Sequence, residues 1–159
     1  MEIEMKIRGL MMDPSANTPI IILKDVNGDA MLPIWVGAFE ANAIAQEIEK
    51  LPVQRPMTHD LIKNLITEFG GIVRRIIITD LKNNTFYAVI EILKNKQAMF
   101  LDARPSDAIA IALRVDCPIY VNEEVINSSA STIIEEASST DSDDEWLNDV
   151  FDDASDYKM

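Results

Sequence analysis

The chain opens on a two-residue alternation. Met1, Ile3, Met5 and Ile7 share one side, and Glu2, Glu4, Lys6 and Arg8 the other, which predicts a strand with one face buried. Pro14 to Pro19 reads as a turn. A dense apolar run, Ile20 to Leu23, predicts a second strand, and Asn27-Gly28 predicts a tight hairpin into a third over Met31 to Val36, where Pro33 favours an edge. After Gly37 the period changes. Ala41, Ile44, Ala45 and Ile48 recur at helical spacing, as do Leu61, Ile62, Leu65, Ile66 and Phe69, with Thr58 as N-cap and Gly70-Gly71 as the stop. Strands follow over Ile72–Thr79, Thr85–Leu93 and Gln97–Leu101. Pro105 opens a helix through Ile109, Ala112 and Leu113, and Cys117–Val121 closes the body as a short strand. This order predicts an α+β fold: a compact mixed α/β domain whose mixed, largely antiparallel sheet is flanked by helices.

At 159 residues the chain fits one domain, and its body, residues 1–127, is long enough to bury a core without staples. The single cysteine, Cys117, cannot form an internal disulfide. No apolar run approaches the roughly 18 residues needed to span a bilayer, so a cytoplasmic protein with no membrane partner is the expectation. The net charge of −13 is unevenly placed: residues 135–159 hold 10 of the 27 acids and 1 of the 14 basic groups. Residues 128–159 therefore read as an acidic, disordered tail whose carboxylates repel one another. Trp146, Leu147, Val150 and Phe151 are spaced for one face of a short helix, which suits either nascent helicity or the docking of a partner protein.

Two segments share one grammar. Arg55-Pro56-Met57-Thr58-His59-Asp60 and Arg104-Pro105-Ser106-Asp107 each give an arginine, a proline, a hydroxyl and an acid ahead of an apolar helical run. Thr58 and Ser106 support the two helix starts. His59, the only imidazole, can carry protons near neutral pH or serve the helix start by ordinary hydrogen bonding. Asp60 and Asp107 suit the first turns of their helices, where the helix field favours carboxylates, and so does Glu40 after Gly37. Asp102 ends a strand just before Arg104. If Asp102 and Asp107 converged with Asp60 or Glu40, their oxygens would suit Mg²⁺ or Mn²⁺. Arg55 and Arg104 can clamp phosphate with their donor forks or pair internally with the nearby aspartates. The sparse aromatics, Trp35, Phe39, Phe86 and Tyr87, suit packing better than base stacking. No phosphate-loop glycine pattern, CxxC pair or extended basic tract is present.

Leu32-Pro33-Ile34-Trp35-Val36-Gly37, Glu40-Ala41, the segment from Arg55 to Leu61, Thr85-Phe86-Tyr87-Ala88 and the segment from Asp102 to Ala110 together resemble the bifunctional nuclease family. The resemblance covers nearly all of residues 1–126. It implies a mixed α/β domain, nuclease activity toward DNA and RNA, and dependence on a divalent metal. The family's Thr-His-Asp signature falls on Thr58, His59 and Asp60, and its second signature on Asp102 through Ala108. In the nuclease reading Asp102, Asp107 and Glu40 position an ion, Asp60 orients His59, and Arg55 and Arg104 hold phosphate. Two other functions compete: a noncatalytic regulatory or interaction domain that binds an anionic ligand or protein, and a homo-oligomeric scaffold. The negative body disfavours tight nonspecific nucleic-acid binding by a monomer, so a homo-oligomer is expected.

Overall fold

The structure, a computed structural model, describes residues 1–130. Seven strands form one sheet: β1 (Glu2–Asp13), β2 (Thr18–Asp25), β3 (Met31–Trp35), β4 (Ile72–Lys82), β5 (Thr85–Lys94), β6 (Gln97–Ala103) and β7 (Ile119–Asn122). The helices are α1 (Ala38–Ile48), α2 (Thr58–Glu68) and α3 (Pro105–Val115). The strand order is β3-β2-β1-β7-β4-β5-β6. Two antiparallel halves, β1 to β3 and β4 to β6, are joined by β7, which pairs antiparallel with β1 and parallel with β4. The mixed, largely antiparallel sheet is the one expected, and its single parallel contact arises because α3 carries the chain from the β6 edge back to the middle.

Alternation decides which side chains meet the helices. Met5, Ile21, Leu23, Ile76, Ile78, Ile90 and Val121 point to one face and form a single core with Ala41 and Ile44 of α1. In α3 Ala108 to Ala112 are all buried, as befits the central helix, packed between α1 and α2 and against β4 and β5. Burial of such an isoleucine as Ile109 is worth roughly 2–5 kcal/mol when it is cut back to alanine. Gly70 adopts φ +82°, the left-handed conformation that lets α2 stop and turn into β4.

Two local expectations are corrected. Asn27-Gly28 does not make a two-residue hairpin: the N–H of Asp25 donates to the carbonyl of Ala30 across a longer loop, and the Asp25 carboxylate accepts the N–H of Asn27 at 2.8 Å. An aspartate that caps its own loop replaces the turn glycine's left-handed φ. Thr58 is not the N-cap of α2. Met57 is, because Asp60, in the third helical position, reaches back to accept the Met57 N–H at 2.9 Å. Residues 123–130 are helical, with Val125 and Ser129 buried, so ordered backbone continues past position 127. The rest of the expected tail, including Trp146 and Phe151, lies outside the described residues. Among the described residues no helix is long and apolar enough to cross a membrane.

Candidate functional site

The two arginine-proline segments do come together. Each places an aspartate at the third position of its helix, Asp60 in α2 and Asp107 in α3, and each aspartate is tied to a basic side chain carried by the other helix. His59 Nε2 lies 2.8 Å from Asp107 Oδ1, and Arg114 Nε donates to Asp60 Oδ1 at 2.8 Å. Asp107 and Arg114 are two turns apart on α3, about 10 Å along its axis, so the start of α2 is fixed across the middle of α3 by both bonds.

Around the first bond lies a cleft of about 540 Å³. Phe39, Glu40, Asn42 and Gln46 of α1 form one wall, Thr58, His59 and Ile62 of α2 another, and Leu101 to Arg104 with Asp107 the rim and floor. A chain of hydrogen bonds runs along it. Arg104 Nη2 donates to Glu40 Oε1 at 2.7 Å, Arg104 Nε donates to Asp107 Oδ2 at 2.8 Å, and the second oxygen of Asp107 meets His59. Burial alone would push the Asp107 carboxyl up, but the bonds from Arg104 and His59 outweigh it and hold the group below the ordinary carboxylate value. Its two carboxylates push the Arg104 guanidinium up in turn, Asp107 foremost. An ionised Asp107 only accepts, so the proton between it and His59 sits on Nε2. The Nδ1 lone pair of neutral His59 is then left as a base. The side chain of Arg104 stays 65% exposed, with Nη1 and one Nη2 hydrogen uncommitted.

Sequence reasoning assigned the partners of His59 and Asp60 wrongly. Asp60 does not orient His59; Asp107 does, because consecutive helical residues diverge by about 100° and cannot face each other. Nor does Arg55 pair with Asp60. It stays in the exposed loop before α2, and Arg114 takes the place. Arg114 was missed altogether. Its side chain is 4% exposed and also donates to the carbonyls of Ala110 and Ala43, at 2.9 and 3.1 Å. A lone arginine in the apolar run Ala108–Val115 was the available clue, since a cation there must find buried acceptors. Burial favours the neutral acid for Asp60, but the Met57 N–H and Arg114 reverse that and hold its pKa low.

The three carboxylates proposed for a metal are not gathered. Glu40 and Asp107 are bridged by Arg104, whose guanidinium stands where an ion would sit. Asp102 reaches the rim, yet Ala103, paired with buried Ala88, faces the core, so strand alternation sends the Asp102 side chain to the opposite face. Among the described residues no group of three or more His, Cys, Asp or Glu could hold a metal ion. Ser106 is buried at the start of α3, a structural place, and Thr58 lines the cleft.

A family model described as the bifunctional nuclease domain matches residues 21–133. An uncharacterized protein of Mycobacterium tuberculosis is 42% identical over 134 residues, which cover 84% of this chain and 80% of that protein. Bifunctional nuclease 1 of Oryza sativa subsp. indica is 28% identical over 132 residues, covering 80% of this chain and 40% of the rice protein. Bifunctional nuclease 1 of Arabidopsis thaliana is 29% identical over 121 residues, covering 74% and 37%. The chain therefore matches less than half the length of these plant relatives.

Proposed function

As the chain belongs to the bifunctional nuclease family, we propose that it hydrolyses phosphodiester bonds in RNA and DNA at the cleft between α1, α2 and the end of β6. The observation that supports this reading is the hydrogen-bonded series Glu40, Arg104, Asp107, His59 along one wall. In it His59 Nδ1 takes a proton from a water as the water oxygen attacks phosphorus, and Asp107 stabilises the imidazolium that results. The departing sugar oxygen leaves with the electrons of the broken P–O bond and takes a proton from solvent water, and the His59 imidazolium returns its own proton to solvent, so that one water is consumed for each bond cut. Arg104 offers its uncommitted N–H groups to the non-bridging phosphate oxygens, where charge accumulates. Arg55, exposed on the loop before α2, is assigned to more distant phosphates of the same strand.

A divalent ion does not fit the carboxylates as they stand, and no step is assigned to one. Mg²⁺ or Mn²⁺ would have to displace Arg104 from between Glu40 and Asp107. The test is cleavage of fluorescent single-stranded RNA and DNA by wild type and by folded His59→Ala and Asp102→Asn proteins, each with Mg²⁺, Mn²⁺ or chelator. Turnover lost in His59→Ala and largely kept in Asp102→Asn supports the site. Undiminished turnover in His59→Ala refutes it, and turnover abolished by chelator refutes the metal-free assignment.

A noncatalytic reading, binding of an anionic ligand or protein, has one observation in its favour: both acids beside Arg104 are already paired with it. It predicts saturable binding of oligonucleotide with no product in any metal.

A further inference from the structure

The β6 edge of the sheet lacks the usual protections. Gln97 to Leu101 contain no charge and no proline, the pairing with β5 is without a bulge, and every residue but Ala103 is exposed. Natural edges are blunted by charges, prolines, bulges or a covering element, since open N–H and C=O groups invite another strand. The other edge, β3, carries Pro33. Beside β6 the surface is also apolar. Leu61, Leu65 and Phe69 of α2, four residues apart, are each about half exposed or more. At 100° per residue they lie on the flank turned away from Asp60, which faces α3, on a helix whose start shares the cleft with Leu101 to Arg104 at the end of β6.

We infer that a second copy of this chain covers this edge, β6 pairing antiparallel with β6 about a twofold axis at Phe100. The sequence of the strand is self-complementary in that register. Phe100 meets Phe100, Met99 meets Leu101 twice, Ala98 meets Asp102 twice, and Gln97 meets Ala103 twice, so no like charges oppose one another within Gln97–Ala103, while just beyond the strand ends Lys96 comes opposite Arg104 twice. Asp102 also falls diagonal to Lys96 of the second copy, within reach of a long side chain, which gives two symmetric opposite-charge pairs. The axis runs perpendicular to the sheet, so both helix layers share one face and the two α2 helices lie on the same side of the junction. On the helix side of the sheet Met99, Leu101, Leu61, Leu65 and Phe69 expose on the order of 500 Å² per chain, within the range of the largest apolar patch on an ordinary monomer, and Phe100 adds a self-facing contact on the opposite face.

The same register carries a consequence for the cleft. Its rim holds Glu40, Asp102 and Asp107 against Arg104, a poor field for a polyanion, and the dimer brings Lys96 of the second copy opposite Arg104. The two clefts then open about 27 Å apart along the joined β6 strands. The pairing itself does not depend on the nuclease reading.

Sedimentation of the full chain tests it. Wild type should behave as a dimer or another even-numbered assembly, and Phe100→Lys, which sets two lysines face to face at an exposed position, should halve its mass without changing its circular dichroism. In a Cys117→Ser background, Phe100→Cys should form an intermolecular disulfide on mild oxidation, since facing residues there are within disulfide reach. A monomeric wild type overturns the inference. So does an assembly indifferent to Phe100→Lys, as does a Phe100→Cys protein that stays unlinked, since another strand or another surface would then cover the edge.

Discussion

Asp60 and Asp107 occupy the same position of two helices, follow similar sequences and are both held below the ordinary carboxylate pKa against their burial, Asp60 by the Met57 N–H and Arg114 and Asp107 by Arg104 and His59, yet they belong to different environments. Asp60 faces an arginine whose side chain is 4% exposed and whose other donors are spent on the carbonyls of Ala43 and Ala110. Asp107 faces an arginine that is 65% exposed and still has donors to offer, together with the histidine. One carboxylate completes a closed network; the other ends an open one beside a cleft. Helix position and residue type are therefore the same for both aspartates, and what differs is the solvent access of the arginine each one holds.

Removing the closed partner should have the largest effect. Arg114→Ala leaves Asp60 without its cation and takes bonds from two carbonyls, so chemical denaturation should show a loss of about 3–4 kcal/mol. A loss below 1 kcal/mol would mean that the two aspartates do not differ as described. At the open network the effect should move from stability to turnover. His59→Ala should lower kcat/KM about a hundredfold, near 2.7 kcal/mol of transition-state stabilisation, while costing less stability than Arg114→Ala.

The contrast also marks what the sequence could convey. Periodicity located all seven strands and the three main helices because each hides one face, and Gly70 and Pro105 fixed the end of α2 and the start of α3 by local geometry. Proximity of the two arginine-proline starts was legible from their shared grammar. Partners were not. Asp60 stands next to His59 and near Arg55 in the chain, but helix rotation turns it from the first, and an arginine 54 residues away claims it. The position of Asp102 likewise depends on β6 register, and register is a property of the pairing with β5, not of β6 alone.

Acid should distinguish the open pair by a smaller effect. Asp107 has a folded-state pKa below its unfolded value, so its contribution is present above the unfolded carboxylate value, near 4, and is lost as pH falls through the folded one. Asp107→Asn should accordingly be less stable than wild type by about 1 kcal/mol between pH 5 and 7, with the difference narrowing below pH 4. A difference that instead grew on acidification would reverse the assigned sign.

Arg104→Lys should have the smallest effect on stability and the most informative one on function. A lysine keeps the positive charge between Glu40 and Asp107 but cannot span both carboxylates in the plane of a guanidinium and still present further N–H groups outward. Because the side chain is mostly exposed, the ion pairs are screened and stability should change by less than about 0.5 kcal/mol. Cleavage should respond more, with kcat/KM down about tenfold if Arg104 contacts the phosphate in the transition state, while Asp107 still accepts from His59 Nε2. If Arg104 only ties α1 to α3, as Arg114 ties α2 to α3, lysine would leave kcat/KM unchanged, and the open network would be as structural as the closed one.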